Sequence, residues 1–252
     1  MTDKAAAVRA VLDDLAAEEA DLEDLLRGLD DDQWSRPTPA AGWDVRDQVS
    51  HLADTEEAAH DTMTDGTRSL SREVAGFADG DAWTEAGCEK GRALDATGVL
   101  AWWAGARRRT LAVFRSLDPD ARVPWGLGMG VRAFGTARLM EHWAHGLDIR
   151  AAVDRPANDT ERLRHVAWLG ANALPYAFGV AHVEPPADRT LRFELTGPDC
   201  AFGPTDATDV IRGPTGEWCR LAVQRIRRDQ APDLVAEGPL ADLALAHARA
   251  FL

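Results

Sequence analysis

The first 153 residues hold four stretches of about twenty residues that read as helices. The gaps between them carry the proline, glycine and polar residues that end a helix. Residues 4–28 set Val8, Leu12, Leu15, Leu22, Leu25 and Leu26 near a 3.6-residue period with acids opposite. WSRPTPAAGWDV follows, where Pro37 and Pro39 exclude a helix and Gly42 gives a turn. Asp44 then reads as the N-cap of a second helix ending near residue 63. A third runs from about 95 to 117, capped by Asp95 and stopped before Pro119, and a fourth from about 132 to 153, before Pro156. Residues 64–94 are polar and Gly-rich and read as a long loop with short helical pieces. Residues 118–131 read as a turn-rich connection. Four such helices with inward-facing polar groups are what a four-helix bundle provides.

The second half changes character. Residues 159–180 read as a helix with a kink at Pro175. TLRFEL, the pair Val210–Ile211 and DLVAEG read as short strands, with helices expected at 215–226 and 240–251. Helices followed by mixed strands and helices predict an α+β protein with two domains, a bundle over 1–155 and a small α/β domain over 156–252. The boundary falls at DRPAN.

Lys and Arg total 28 against 42 acids, a net charge of −14, which argues against nucleic acid or an anionic membrane as partner. The charged start has no apolar signal core, and no stretch approaches the roughly 18 apolar residues of a membrane span. A cytoplasmic protein is the expectation. Abundant Ala, Arg and Asp with two lysines suggest a GC-rich genome. Cys88, Cys200 and Cys219 are odd in number and widely spaced, which supports neither a disulfide framework nor a thiolate metal site.

The chemistry concentrates in RDQVSHLADTEEAAH and ARLMEHWAHGLDIRAAV. Glu141 and His145 are four residues apart and share a helix face. His51 from the second helix would complete two imidazoles and a carboxylate, a set that suits zinc with one position left open. His142 offers a competing pair with His145, and His60 could pair with His51, so spacing alone leaves the ligand set open. On the fourth helix Met140, Trp143, Ala144, Leu147 and Ala151 form the apolar stripe, with Glu141, His145 and Asp148 along its border. His165, His182 and His247 read as surface or packing residues.

GWDVRDQVSHLADTE and ARLMEHWAHGLDIRAAV resemble the paired motifs of the mycothiol-dependent maleylpyruvate isomerase family, within the wider DinB-like metal-binding superfamily. AFGPTDATDVIRGPTGEWCRLAVQR and LVAEGPLADLAL resemble its small α/β domain, which is similar to sterol-carrier modules. The resemblance implies zinc, or another divalent metal, on His51, Glu141 and His145. It gives Asp148 a role in binding or activating the thiol, and Arg225, with Arg220 as the alternative, a role in catalysis. It further implies mycothiol as thiol cosubstrate, a small electrophile as its partner, a site between bundle and small domain, and a monomer or homodimer.

Three readings follow. The first is a zinc-dependent transferase or isomerase that uses a low-molecular-weight thiol. The second is a zinc-dependent hydrolase without thiol, and the third a non-catalytic metal- or lipid-binding module. Trp102, Trp103, Trp125 and Trp143 are candidate pocket walls that compete with a core role.

Overall fold

The computed structural model of the chain describes residues 2–126 and 128–250. It is an α+β structure. Two compact units divide it, one ending at Asn158 and the other beginning at Asp159.

The first unit contains helices α1 (Thr2–Arg27), α2 (Asp31–Trp34), α3 (Val45–Thr64), α4 (Leu70–Glu73), α5 (Gly80–Arg92), α6 (Ala96–Ser116) and α7 (Val131–Ala152). Strands β1 (Arg122–Val123) and β2 (Met129–Gly130) form an antiparallel ribbon ahead of α7. The four long helices pack as a ring: α3 touches α6 and α7, and α1 touches the same two. Leu22, Leu26, Val45, Val49, Leu52, Val99, Trp103 and Ile149 form one core cluster. Each such side chain contributes about 1.5–3 kcal/mol by leaving water.

The turn that launches α3 follows the sequence reading. Gly42 takes φ +82°, and Pro37 bridges to Asp44. The Asp44 carboxylate accepts the Asp47 N–H at 2.9 Å while Asp47 accepts the Asp44 N–H at 3.3 Å. This reciprocal cap satisfies donors that the first helical turn leaves open.

The stretch 64–94, expected as a loop with short helical pieces, holds one such piece in α4 and a full thirteen-residue helix in α5. Asp79 caps α5 by accepting from Ala82, and α5 lies along α3. No apolar period marks α5 because its buried face is Gly87, Cys88 and Gly91. A Cβ on Gly91 would fall 1.7 Å from Ser50 Oγ, so this glycine is what lets the helices approach. Arg92 grips Asp47 with two hydrogen bonds of 2.9 and 3.0 Å, and Lys90 pairs with Asp54 at 2.8 Å. Arg68 adds bonds to Asp54, Glu57 and Glu73, pinning the α3–α4 connection.

On α7 the apolar stripe is wider than its periodicity indicates. Met140, Trp143 and Ala144 are buried, but Ala151 is exposed, while Phe134, Arg138, Leu139, His142 and Ile149 are buried as well. The helix is enclosed by α1, α3 and the ribbon. Polar residues on it are therefore interior groups that need partners.

The second unit contains α8 (Leu163–Asn172), α9 (Leu174–Ala181), β3 (Leu191–Thr196), β4 (Cys200–Phe202), β5 (Asp209–Pro214), α10 (Thr215–Ala222), β6 (Val235–Glu237) and α11 (Pro239–His247). The single helix expected at 159–180 is two helices, with Pro175 in the first turn of α9, where its missing N–H is harmless. The sheet order is β4-β3-β5-β6, with β3 and β5 parallel and the outer pairs antiparallel. Phe193 and Leu195 point inward from β3, and Trp218 of α10 packs on Phe193 at 4.7 Å between ring centroids. The helix expected to reach 226 stops at Ala222, because Gln224 turns to φ +57°. The helix expected to end at 251 ends at His247, and position 251 lies outside the described residues. The β4 strand had no clear signal in the sequence.

Candidate metal centre

α3 and α7 meet along a polar seam. Gln48 meets His145, His51 meets Glu141, and Thr55 and Glu56 meet Arg138. Position numbers rise on one helix as they fall on the other, so the helices run antiparallel. The intervals of three and four residues keep every rung on one face of each helix. That is how groups some ninety residues apart in the chain converge.

In the middle rung, Glu141 Oε2 lies 3.3 Å from His145 Nε2 and 3.6 Å from His51 Nε2. The three donor atoms all lie within 4.8 Å of one another. Ligand atoms placed roughly 2.0–2.1 Å from a tetrahedral ion stand about 3.3 Å apart, so the spacing fits one divalent cation. The side chains are 13%, 22% and 12% exposed for His51, Glu141 and His145, screened yet reachable from solvent. Burial pushes the Glu141 carboxyl up, but the imidazoles of His145 and His51 outweigh it and hold the group well below the usual carboxylate range. The acid is thus ready as an anionic donor.

Trp43 stands over this cluster. Its ring centroid is 5.3 Å from that of His51 and 6.2 Å from that of His145, nearly stacked on the latter at 22°. Neither Trp43 nor Gln48 was singled out by the residue pattern. Their signal is positional: Trp43 closes the turn before α3, and Gln48 lies one helical turn ahead of His51.

His142 faces elsewhere. Its Nδ1 donates to the Arg138 carbonyl at 2.8 Å, and its Nε2 accepts the Trp103 indole N–H at 3.1 Å. Burial pushes its pKa down to about 4, so the ring is neutral, with both nitrogens engaged. Although Glu19 and Glu56 bring carboxylate oxygens to 4.0 and 3.9 Å, no lone pair of this ring is left for an ion. The surrounding cluster is a polar network with one member from each long helix: Glu19, Glu56, Arg107 and Arg138. Arg107 also pairs with Glu23 and stacks its guanidinium 4.8 Å over Trp103. His60 pairs with Asp61 at 2.9 Å rather than with His51.

Asp148 lies one turn beyond His145 with its side chain in the interior of the first unit. Arg225 lies in the second unit, three residues past the end of α10 rather than on it, and donates to the Val223 carbonyl at 3.1 Å. Arg220, on α10, makes two 2.8 Å bonds to Asp159. Trp103 and Trp143 are core residues, Trp102 packs against the core, and Trp125 stacks on Phe134. Burial, then the Asp47 charge, pushes the Cys88 thiol up to about 12, and burial also raises Cys200 and Cys219.

Comparison with known proteins gives a consistent result. The family model for the mycothiol maleylpyruvate isomerase N-terminal domain matches residues 15–150. Two uncharacterised proteins of Mycobacterium tuberculosis, from strains CDC 1551 / Oshkosh and ATCC 25618 / H37Rv, are each 37% identical over 250 residues, covering 94% of this chain and 93% of the relative. Among solved structures, the mycothiol-dependent maleylpyruvate isomerase superposes with a TM-score of 0.60 at 15% identity. A histidine-to-alanine mutant of it gives 0.62 at 13% identity, and both cover 96% of either chain.

Proposed function

The chain belongs to the mycothiol maleylpyruvate isomerase family, and we propose that it is a metal-dependent enzyme that uses mycothiol as a nucleophile toward a small electrophilic substrate. The observation that carries this reading is the convergence of His51, Glu141 and His145 beneath Trp43.

His51, Glu141 and His145 would hold zinc or another divalent ion, which supplies the positive charge that favours a thiolate over a thiol at neutral pH. Glu141, held below the usual carboxylate range, would bring one negative charge to the set. The Trp43 ring covers one side of the cluster and excludes water there. The chain's own cysteines make poor nucleophiles, because burial keeps all three as thiols. A thiol cosubstrate, which the family suggests, would supply the reactive sulfur instead.

The thiolate sulfur would add to an electrophilic carbon of a conjugated double bond, whose π electrons move onto the adjoining carbonyl oxygen. Re-forming that double bond expels the thiolate, and a proton taken up instead leaves the adduct. If the same carbon–sulfur bond later breaks, the product is an isomer; if it persists, the product is a conjugate. Isomerase chemistry is the form that the family favours. Asp148, in the interior one turn from His145, is proposed to bind or activate the thiol, and Arg225 to act in catalysis.

The test is a thermal-shift titration with mycothiol, with and without zinc. A rise in Tm that needs both supports the reading, since a ligand stabilises the state it binds. No shift at millimolar thiol in the zinc-loaded protein overturns the thiol role and leaves a hydrolytic one.

A further inference from the structure

We infer that Gln48 is a positioning residue that decides which nitrogen of His145 faces the metal position, and that Thr38 and the Trp43 carbonyl fix Gln48 in turn.

The inference follows from counting protons along a chain of hydrogen bonds. Thr38 Oγ1 donates its one hydrogen to the Trp43 carbonyl at 3.0 Å. Toward Gln48 it can therefore only accept, and the Gln48 Nε2 amide lies 2.9 Å away as the donor. With its NH₂ end committed to Thr38, Gln48 presents its carbonyl Oε1 to His145 Nδ1 at 2.5 Å. An amide oxygen accepts only, so Nδ1 must carry the hydrogen. In the neutral ring the lone pair then sits on Nε2, the atom 3.3 Å from Glu141 and nearest the other donors. Thr38 also receives support from its own backbone, whose N–H donates to the same Trp43 carbonyl at 2.8 Å.

Gln48 is fully buried, so water does not compete for its amide. The residues between Pro37 and Asp44 thus reach the ligand set twice: the Trp43 ring covers the imidazoles, and the Trp43 carbonyl anchors the relay that orients one of them. Outer partners of this kind raise metal affinity by about 10–100-fold in other proteins.

The inference rests on the metal reading for its purpose, but the tautomer can be read without metal. Ring nitrogen NMR of the metal-free protein is expected to show His145 protonated at Nδ1. Gln48→Leu removes the acceptor; the hydrogen should move toward Nε2, and zinc affinity in a chelator competition should fall about 10–100-fold. Gln48→Glu keeps an acceptor for Nδ1 but loses the donor to Thr38, so it should retain the Nδ1 proton and bind zinc more tightly than Gln48→Leu does. Thr38→Val leaves the amide free to turn and should give a smaller loss than Gln48→Leu. Thermal unfolding of each metal-free variant separates a folding defect from a ligand defect. If Gln48→Leu does not fold, Gln48→Glu and Thr38→Val carry the test. An unchanged tautomer and affinity in Gln48→Leu, or a folded Gln48→Glu that loses the Nδ1 proton, overturns the inference. Wild-type protein that binds no zinc overturns the metal reading instead, and the tautomer measurement still decides the role of Gln48.

Discussion

The indole of Trp103 on α6 donates its N–H to Nε2 of His142 on α7 at 3.1 Å, across the middle of the bundle. This bond takes the lone pair that a metal would need, so two histidines three residues apart have opposite fates. His142→Ala is expected to keep zinc affinity within about twofold. It should destabilise the fold by about 2–4 kcal/mol, through the cavity and the orphaned indole N–H. Chelator competition and urea unfolding of the same samples check both halves.

Removing any member of the triad should show in the metal directly. His51→Ala, Glu141→Ala and His145→Ala are each expected to weaken zinc binding by more than about tenfold, as one of three ligands is lost. Metal content after dialysis against a chelator measures this. Full retention in all three variants would remove the metal centre from the reading.

Glu19 predicts a pH dependence of stability. Burial, reinforced by the nearby Glu56 charge and only partly offset by Arg107 and Arg138, raises its pKa from 4.5 to about 8. Between those values the folded protein holds a proton that the unfolded chain releases. The stabilising contribution is complete below 4.5, is lost as pH rises through 8, and changes by at most about 1.4 kcal/mol per pH unit. Glu19→Gln, which cannot ionise, should gain stability relative to the wild type on going from pH 5 to pH 8. Urea midpoints at three pH values test the sign, and a difference that does not grow with pH refutes the shift.

The glycine contact between α5 and α3 should be intolerant of a methyl group. Gly91→Ala gains up to about 1 kcal/mol of helix propensity. The new Cβ, however, meets Ser50 Oγ and Cβ at 1.7 and 2.5 Å, and the shift it forces costs about 1–3 kcal/mol. Tm should fall in Gly91→Ala and hold or rise slightly in Gly80→Ala, where a Cβ meets nothing within 4 Å.

How much of this was legible in the sequence depended on how each feature is encoded. The four long helices are legible because leucine periods and caps at Asp44 and Asp95 are local signals. The pair Glu141 and His145 is legible because an interval of four residues on one helix shows in the sequence, whereas His51 joins it only through the family resemblance, since spacing alone leaves His142 and His60 as rivals. α5 is hidden because glycine, not leucine, makes its contact surface, and a small residue leaves no hydrophobic period. Gln48 and Trp43 are hidden because their roles exist only once α3 and α7 are side by side. The wide burial of α7 also escapes a stripe analysis, since Arg138 and His142 count as polar in the pattern yet sit at 2% and 0% exposure.

The antiparallel seam has a mechanical consequence. Arg138 reads Glu56 and Glu141 reads His51 through the same pairing of α3 with α7. Sliding α7 by one position would rotate it by about 100° and translate it by about 1.5 Å. Such a slip would tear the buried ion pair apart in the same movement that scattered His51, Glu141 and His145. The interior ion pair thus fixes the alignment of the three side chains beside it: a one-position slip would strand a guanidinium in the dry core, a cost of several kcal/mol against the wrong register.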